Sequence, residues 1–328
     1  MARAIDKEKF EIYTCTIFNG DLPRPTIDGV KIFHCFYPFK ISGMLAFIWG
    51  IWNCDIAYFP RAEFSDWGIF LVKLFRKKSF KTVRNKLDDA ALEGPISIYK
   101  TKEKMIRAYT RHNRVYSTTS HMRDYNFQRF GIKTEPQTLF VTSDTTEFYQ
   151  PGKKIDRLQN IIFIGNDMKR KGISDYLFAA KAFPSLTFHI VGKANDEQRK
   201  EIANLSNVVY HGILPQPKMK ELFRKVDLHI FPSRSEGLGK VTIETASSGI
   251  PTITYIDYGP DEWIRHGEEG YVVSTREEIT DIIQDLVNNP LKLQAMSQKV
   301  YDLAGRFDIK ILTEKYEKII EDLYNSPR

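Results

Sequence analysis

Apolar positions along this chain fall into two alternating patterns, short unbroken runs of strand length and longer stretches with helical spacing. That alternation predicts βαβ units built on parallel sheets, an α/β architecture. In the first half, residues 11–18, 29–36, 55–59 and 80–87 are rich in β-branched and aromatic residues and read as strands. Residues 41–53, 65–76 and 98–111 read as helices, the second with Trp67, Phe70, Leu71 and Leu74 on one face. Residues 1–9 read as the tail of a helix. A strand at 115–120, a helix at 122–130 and a strand at 139–144 lead to the linker Pro151-Gly152-Lys153-Lys154. Beyond it, strands are expected at 161–164, 186–191, 208–211, 228–231 and 251–256, with helices at 173–183, 216–224 and 240–248. Amphipathic helices at 277–287, 290–303 and 309–324 close the chain, the last with Ile311, Leu312, Tyr316, Ile319, Ile320 and Leu323 apolar.

The sharpest chemistry lies between Val226 and Val273. An apolar run ending at Phe231 meets the breaker Pro232, then the turn-forming Ser-Arg-Ser-Glu-Gly-Leu-Gly, a helix and another strand. In such a unit ligands bind beyond the carboxyl ends of the strands, where backbone N–H groups can face an anion; Gly237, Leu238 and Gly239 stand there. Glu236 and Glu244 bracket the turn with seven residues between them. Carboxylates accept hydrogen bonds from sugar hydroxyls, so Glu244 suits a ribose diol and Glu236 a hexose attached beyond a diphosphate. A second loop, Gly165 to Gly172, carries Asn166 and the consecutive cations Lys169, Arg170 and Lys171 just before a helix, which suits a diphosphate. Gly192 and Gly212 end two further strands where a nucleotide base would stack on backbone. His211 is open to either a base-facing or a structural role.

The pattern Glu236-Gly237-Leu238-Gly239, then Glu244-Thr245-Ala246 and Gly249-Ile250-Pro251, resembles the glutamate–seven–glutamate signature of retaining glycosyltransferases of family 4; residues 259–273 are similar to a further segment of that family. The resemblance implies the GT-B fold, two Rossmann-like domains with parallel sheets facing a cleft. Here that means an acceptor domain at 1–150 lacking the usual first strand and Gly-rich loop, a nucleotide-sugar domain at 151–305, and a helix at 306–328 packing back on the first domain. It implies transfer of a sugar from a nucleotide-diphosphate-sugar donor with retention of configuration. Glu236 and Lys171 would be catalytic; Gly165, Asn166, Arg170, Gly192, Gly237, Leu238, Gly239 and Glu244 would hold the donor. No cofactor besides the donor substrate and no metal ligand set is expected. The chain departs from the family in three places: Asn166 occupies an arginine position that Arg170 or Lys169 would cover, Thr142-Ser143 replaces asparagine-glycine before the hinge residues Asp144 and Phe148, and the segment around Asn85, Lys86, Asp88 and Asp89 lacks a family histidine.

Composition adds bounds. A chain of 328 residues, 42% hydrophobic and 27% charged, accommodates about two globular domains. Cys15, Cys35 and Cys54 are odd in number and lack metal-ligand spacing, so they read as reduced core thiols of a cytoplasmic protein. The start has no apolar signal region, and the most hydrophobic stretch, Ile41 to Trp52, is too short to span a bilayer and reads as a buried or interfacial helix. The net charge of +7 belongs wholly to residues 1–150 and peaks between Lys73 and Lys86. Such a block favours an anionic or membrane-presented acceptor and peripheral attachment to a membrane surface, with a DNA acceptor as the lesser expectation. Two other classes stay open, a nucleotide-sugar-binding protein without transfer activity and a basic nucleic-acid-binding protein.

Overall fold

The β-branched runs of the first half become five short strands. In the computed structural model, which describes residues 2–17, 26–60, 66–84, 86–89, 92, 96–97, 99–140, 145–234 and 236–327, these are β1 (Ile12–Ile17), β2 (Val30–Cys35), β3 (Ile56–Phe59), β4 (Lys78–Val83) and β5 (Arg114–Ser117). Among the described residues they form two separate parallel sheets, β1–β2 and β3–β4–β5. Helices α1 (Phe39–Asn53), α2 (Asp66–Leu74), α3 (Lys102–Thr110) and α4 (Ser120–Phe130) lie between and after them. Residues 2–9 form turns and no helix. The expected strand and hinge positions Phe18 and Asp144, together with Asn85, Ile98 and the side chain of Trp67, lie outside the described residues.

The chain divides into two units, Met1–Thr142 with Ile309–Arg328, and Ser143–Asp308. The final helix, α11 (Ile309–Asn325), belongs to the first unit, where Tyr316, Ile319 and Leu323 pack with Phe80, Tyr116 and Leu139. The Tyr316 hydroxyl donates to the Phe140 carbonyl at 2.9 Å, so even this helix's polar atom is satisfied inside the core.

That packing changes the meaning of the basic block. Lys78 ends its side chain on the last carbonyls of α11, donating to Leu323 O at 2.7 Å and Tyr324 O at 3.2 Å. A cation at a helix C-terminus satisfies unpaired carbonyls and complements the dipole. Lys81 is buried, lies 5.0 Å from the Tyr109 ring centre, and has its pKa lowered by burial to about 8. These two lysines therefore hold the fold and do not form an outward anion-binding face. On α2, likewise, Ile69 and Val72 point inward, while Phe70 and Leu74, expected on one face with Leu71, are exposed. Of the three cysteines, none in a disulfide among the described residues, Cys35 is buried and Cys54 partly so, but Cys15 is exposed and is no core thiol.

The second unit is one six-stranded, wholly parallel sheet: β6 (Asn160–Ile164), β7 (Thr187–Val191), β8 (Val208–Gly212), β9 (Leu228–Phe231), β10 (Thr252–Tyr255) and β11 (Gly270–Val273). Helices α5 (Ile173–Ala182), α6 (Asp196–Ala203), α7 (Gln216–Lys225), α8 (Lys240–Ala246), α9 (Arg276–Asn288) and α10 (Pro290–Gly305) connect and follow these strands. All four residues of β9 are buried, as are all four of β10, so burial along these strands shows no alternation, and apart from His229 on β9 they are apolar, aromatic or β-branched. Leu228 and Ile230 join one core layer with Phe163, Tyr176 and Phe188; Ile162, Phe223 and Ile250 join another. No described helix is long and apolar enough to cross a membrane.

Candidate functional site

The strand order β8–β7–β6–β9–β10–β11 places β6 beside β9, and from that pair the chain winds outward in both directions. Loops leaving the carboxyl ends of two such strands diverge and open a crevice between them. The loop after β6 runs from Gly165 to Gly172, and the loop after β9 from Pro232 to Gly239. Backbone contact holds them together. Gly172 has φ +79°, and a Cβ there would sit 2.0 Å from the Pro232 carbonyl oxygen, so only glycine fits. A third loop is tied in the same way, since a Cβ on Gly259, at φ +109°, would lie 2.5 Å from the Gly237 carbonyl oxygen.

Into this crevice the sequence delivers three charges, the neighbours Arg170 and Lys171 and, 66 and 65 residues further along the chain, Glu236. The Glu236 carboxylate accepts from Lys171 Nζ, from Arg170 at 3.1 Å and from the Ser233 hydroxyl at 3.0 Å. The Glu236 side chain is 10% exposed and that of Lys171 15%, which strengthens their attraction relative to a surface pair. Burial lowers the Lys171 pKa, and the Glu236 carboxylate opposes that shift. Lys171 Nζ also lies 4.9 Å from the Phe231 ring centre, at the end of β9. Asp167 orients Arg170 through its backbone N–H at 3.3 Å and its guanidinium at 3.1 Å. Asn166 is exposed at the start of the loop, and Arg170 is the residue that brings a guanidinium to the cluster.

Leu238 and Gly239 are buried beneath this cluster's loop, with Gly239 left-handed at φ +63° immediately before α8. Glu244, on α8, makes a separate pair with Lys240 at 3.2 Å. Its carboxyl pKa is raised by burial, and the Glu147 charge adds to the rise while Lys240 opposes it. Gly165 N–H donates to Val191 O at 2.9 Å and Gly192 N–H to Gly212 O at 2.8 Å, so these strand ends are aligned along one rim. Among the described residues, no group of three or more His, Cys, Asp or Glu side chains is arranged to hold a metal ion.

Sequence reasoning missed a clamp under the same loop. Asp175, buried on the first turn of α5, accepts from the Tyr255 hydroxyl at 2.8 Å and from Arg234 at 3.1 Å. The Arg234 guanidinium lies 4.5 Å from the Tyr255 ring centre. A loop cation is thus fixed by one helix and one strand, which positions the residues that follow it. The only sequence signal was a carboxylate three residues beyond a loop glycine, which is too common to single out.

Two histidines in the sheet carry a pH consequence. His229 is fully buried on β9, and burial lowers its pKa from 6.5 to about 3, with Lys171 contributing. His189 is lowered to about 4 by burial and by His211, whose ring nitrogen lies 3.0 Å from it. His211 therefore sits in a histidine pair inside the sheet. Both folded-state values lie below the unfolded value, so the unfolded chain binds more protons as pH falls below 6.5. Stability of the second unit should fall between pH 7 and pH 5, by about 2 kcal/mol for each histidine. Urea unfolding at the two pH values measures this, and His189→Asn should shrink the difference. Equal stability at both values would contradict it.

Residues 144–302 match the profile of the family described as Glycosyl transferases group 1. The chain is 28% identical over 156 residues to the UDP-N-acetylglucosamine–peptide N-acetylglucosaminyltransferase GtfA subunit of Streptococcus pneumoniae, covering 44% of this chain and 31% of that protein. It is 25% identical over 204 residues to the lipopolysaccharide glucosyltransferase WaaG of Escherichia coli, covering 58% of this chain and 54% of that one. The chain thus spans about a third of the first relative and about half of the second. Among solved structures, HepE of Anabaena in complex with UDP superposes with a TM-score of 0.75 at 16% identity, covering 90% of this chain and 86% of HepE. Sucrose-phosphate synthase of Thermosynechococcus elongatus superposes with a TM-score of 0.76 at 13% identity, covering 95% and 88%. These likenesses give the fold: the chain is an α/β protein of the GT-B class with parallel sheets.

Proposed function

We propose that this chain transfers a sugar from a nucleotide-diphosphate-sugar to an acceptor with retention of configuration, as a family 4 enzyme. The observation that carries the reading is the Lys171–Arg170–Glu236 cluster at the switch point of a parallel sheet, inside the segment that matches group 1 glycosyl transferases. Negative charge builds on the departing diphosphate as the glycosidic bond breaks. Preorganised cations aimed at that charge lower the barrier more than they favour the ground state. Lys171 and Arg170 serve this role, with the Gly237–Gly239 turn beside them. Both cations rest on Glu236, so a diphosphate takes them over as it enters and Glu236 turns to the hexose. Glu244 is assigned to the ribose, because its partly buried carboxyl is held near the turn by α8.

Arg170 reaching the cluster supports transfer over mere binding, since it supplies the cation that Asn166 lacks. The structural duties of Lys78 and Lys81 weigh against a nucleic-acid-binding protein. HepE has been solved with UDP and with UDP-glucose, which makes UDP-sugars the first donors to test. Calorimetry against UDP-, GDP- and ADP-sugars names the base. In the same assay Glu244→Ala should weaken nucleotide binding by tenfold or more, the loss of a charge-assisted hydrogen bond costing about 1.5–3 kcal/mol. Unchanged affinity would remove Glu244 from the ribose.

A further inference from the structure

Helix α1 presents an apolar face to the outside. Ile41, Met44, Leu45, Ile48 and Trp52 are exposed, Trp52 to 67% and Leu45 to 45%, while Ser42 and Ala46 are buried on the other side and Ile51 is buried at the stripe's edge. These five outward positions fall within an arc of about 100° on a helix of 3.6 residues per turn, so they form one continuous stripe. Trp52 packs edge-on against Phe75 with ring centres 5.4 Å apart, just beyond α2, on which Phe70 and Leu74 are also exposed. A stripe of this kind marks an interaction surface, because ordinary surfaces scatter such residues singly.

We propose that this face lies in the interfacial zone of an anionic lipid bilayer. Charge argues for that occupant. Helix α1 contains no Asp or Glu, and exposed Lys40, Lys73 and Arg76 stand beside the stripe, an arrangement suited to anionic headgroups next to an inserted apolar face. A second copy related by a twofold axis would set this same patch, and its cations, against itself. Length argues for lying flat: the 15 residues of α1 extend about 22 Å, short of the roughly 30 Å hydrocarbon core. The contact takes Lys73 and Arg76 from the Lys73–Lys86 block but not Lys78 and Lys81, which serve the fold. It deepens the expectation from the sequence of a membrane-presented acceptor, and rests on the proposed sugar transfer only in so far as it concerns that acceptor.

The test is flotation of the full chain, without donor, on phosphatidylcholine vesicles with and without phosphatidylglycerol at low ionic strength. Wild type should float with the anionic vesicles. Leu45→Glu with Trp52→Glu should reduce the floating fraction at least about tenfold. Lys40→Glu with Lys73→Glu and Arg76→Glu should abolish the preference for anionic lipid. Circular dichroism and nucleotide-sugar calorimetry on each variant should match wild type, which keeps failure of this surface distinct from failure of the donor site. Should the first double variant fail to fold, Trp52→Ser alone reads the same contact. Wild type that ignores anionic vesicles overturns the proposal, as do variants that float like wild type. A dimer that the Leu45 and Trp52 changes dissociate, with vesicles ignored, assigns the face to a second copy.

Discussion

Lys171→Met should lower sugar transfer by about a hundred- to a thousandfold, the usual loss when one preorganised donor to a developing anion is removed. Methionine keeps most of the apolar stem and removes the ammonium, and with it the cation over the Phe231 ring. Binding should divide by ligand. UDP loses affinity because its diphosphate loses a cation, and uridine, which lacks the diphosphate, is unaffected. Steady-state turnover and calorimetry with both ligands measure the two parts. Turnover within a few-fold of wild type would show that Arg170 and the loop backbone suffice, and would take Lys171 out of the chemistry.

Glu236→Gln should separate binding from turnover in the opposite sense. Transfer should fall by at least about a hundredfold, because the carboxylate proposed to orient the hexose is gone. UDP affinity should stay level or rise by up to about tenfold, because the Glu236 carboxylate pairs with both Lys171 and Arg170 and so competes with a diphosphate for them. The gain should depend on pH in a defined direction. Burial already lowers the Lys171 pKa and the Glu236 charge opposes it, so glutamine lowers it further. The tighter binding is therefore present below the lysine's new value and is lost as pH rises through it. A variant that binds UDP much more weakly than wild type would instead make Glu236 a structural support of the loop.

Much of this could be read from the chain because it follows from local rules. Buried parallel strands must be apolar on both faces, so runs such as Leu228–Phe231 announce themselves, and the glycines between strand and helix mark where backbones approach closely. Residues 270–273, by contrast, were not read as a strand, since four residues following a charged loop carry little pattern of their own. The candidate site was half legible. Glu236, Lys171 and the glycine turn were visible as residue types in a strand–turn–helix context. That Glu236 holds both Lys171 and Arg170 was not, because the contact closes only when β6 and β9 become neighbours. The Asp175–Arg234–Tyr255 clamp depends on the same adjacency.

Charge and hydrophobicity were where the sequence alone misled. A cluster of lysines fixes how much positive charge a segment carries, but not which direction each chain takes. Tertiary packing turned Lys78 onto the end of α11 and buried Lys81, leaving the segment's chemistry to other residues. In α1 apolar residues occur all round the helix, so its periodicity names no inner side. The sequence by itself determined that α1 would be a helix with apolar surface to bury; which stripe met the protein core and which was left facing outward was decided by β1, β2 and α2, whose packing against one side leaves Ile41, Met44, Leu45, Ile48 and Trp52 on the other.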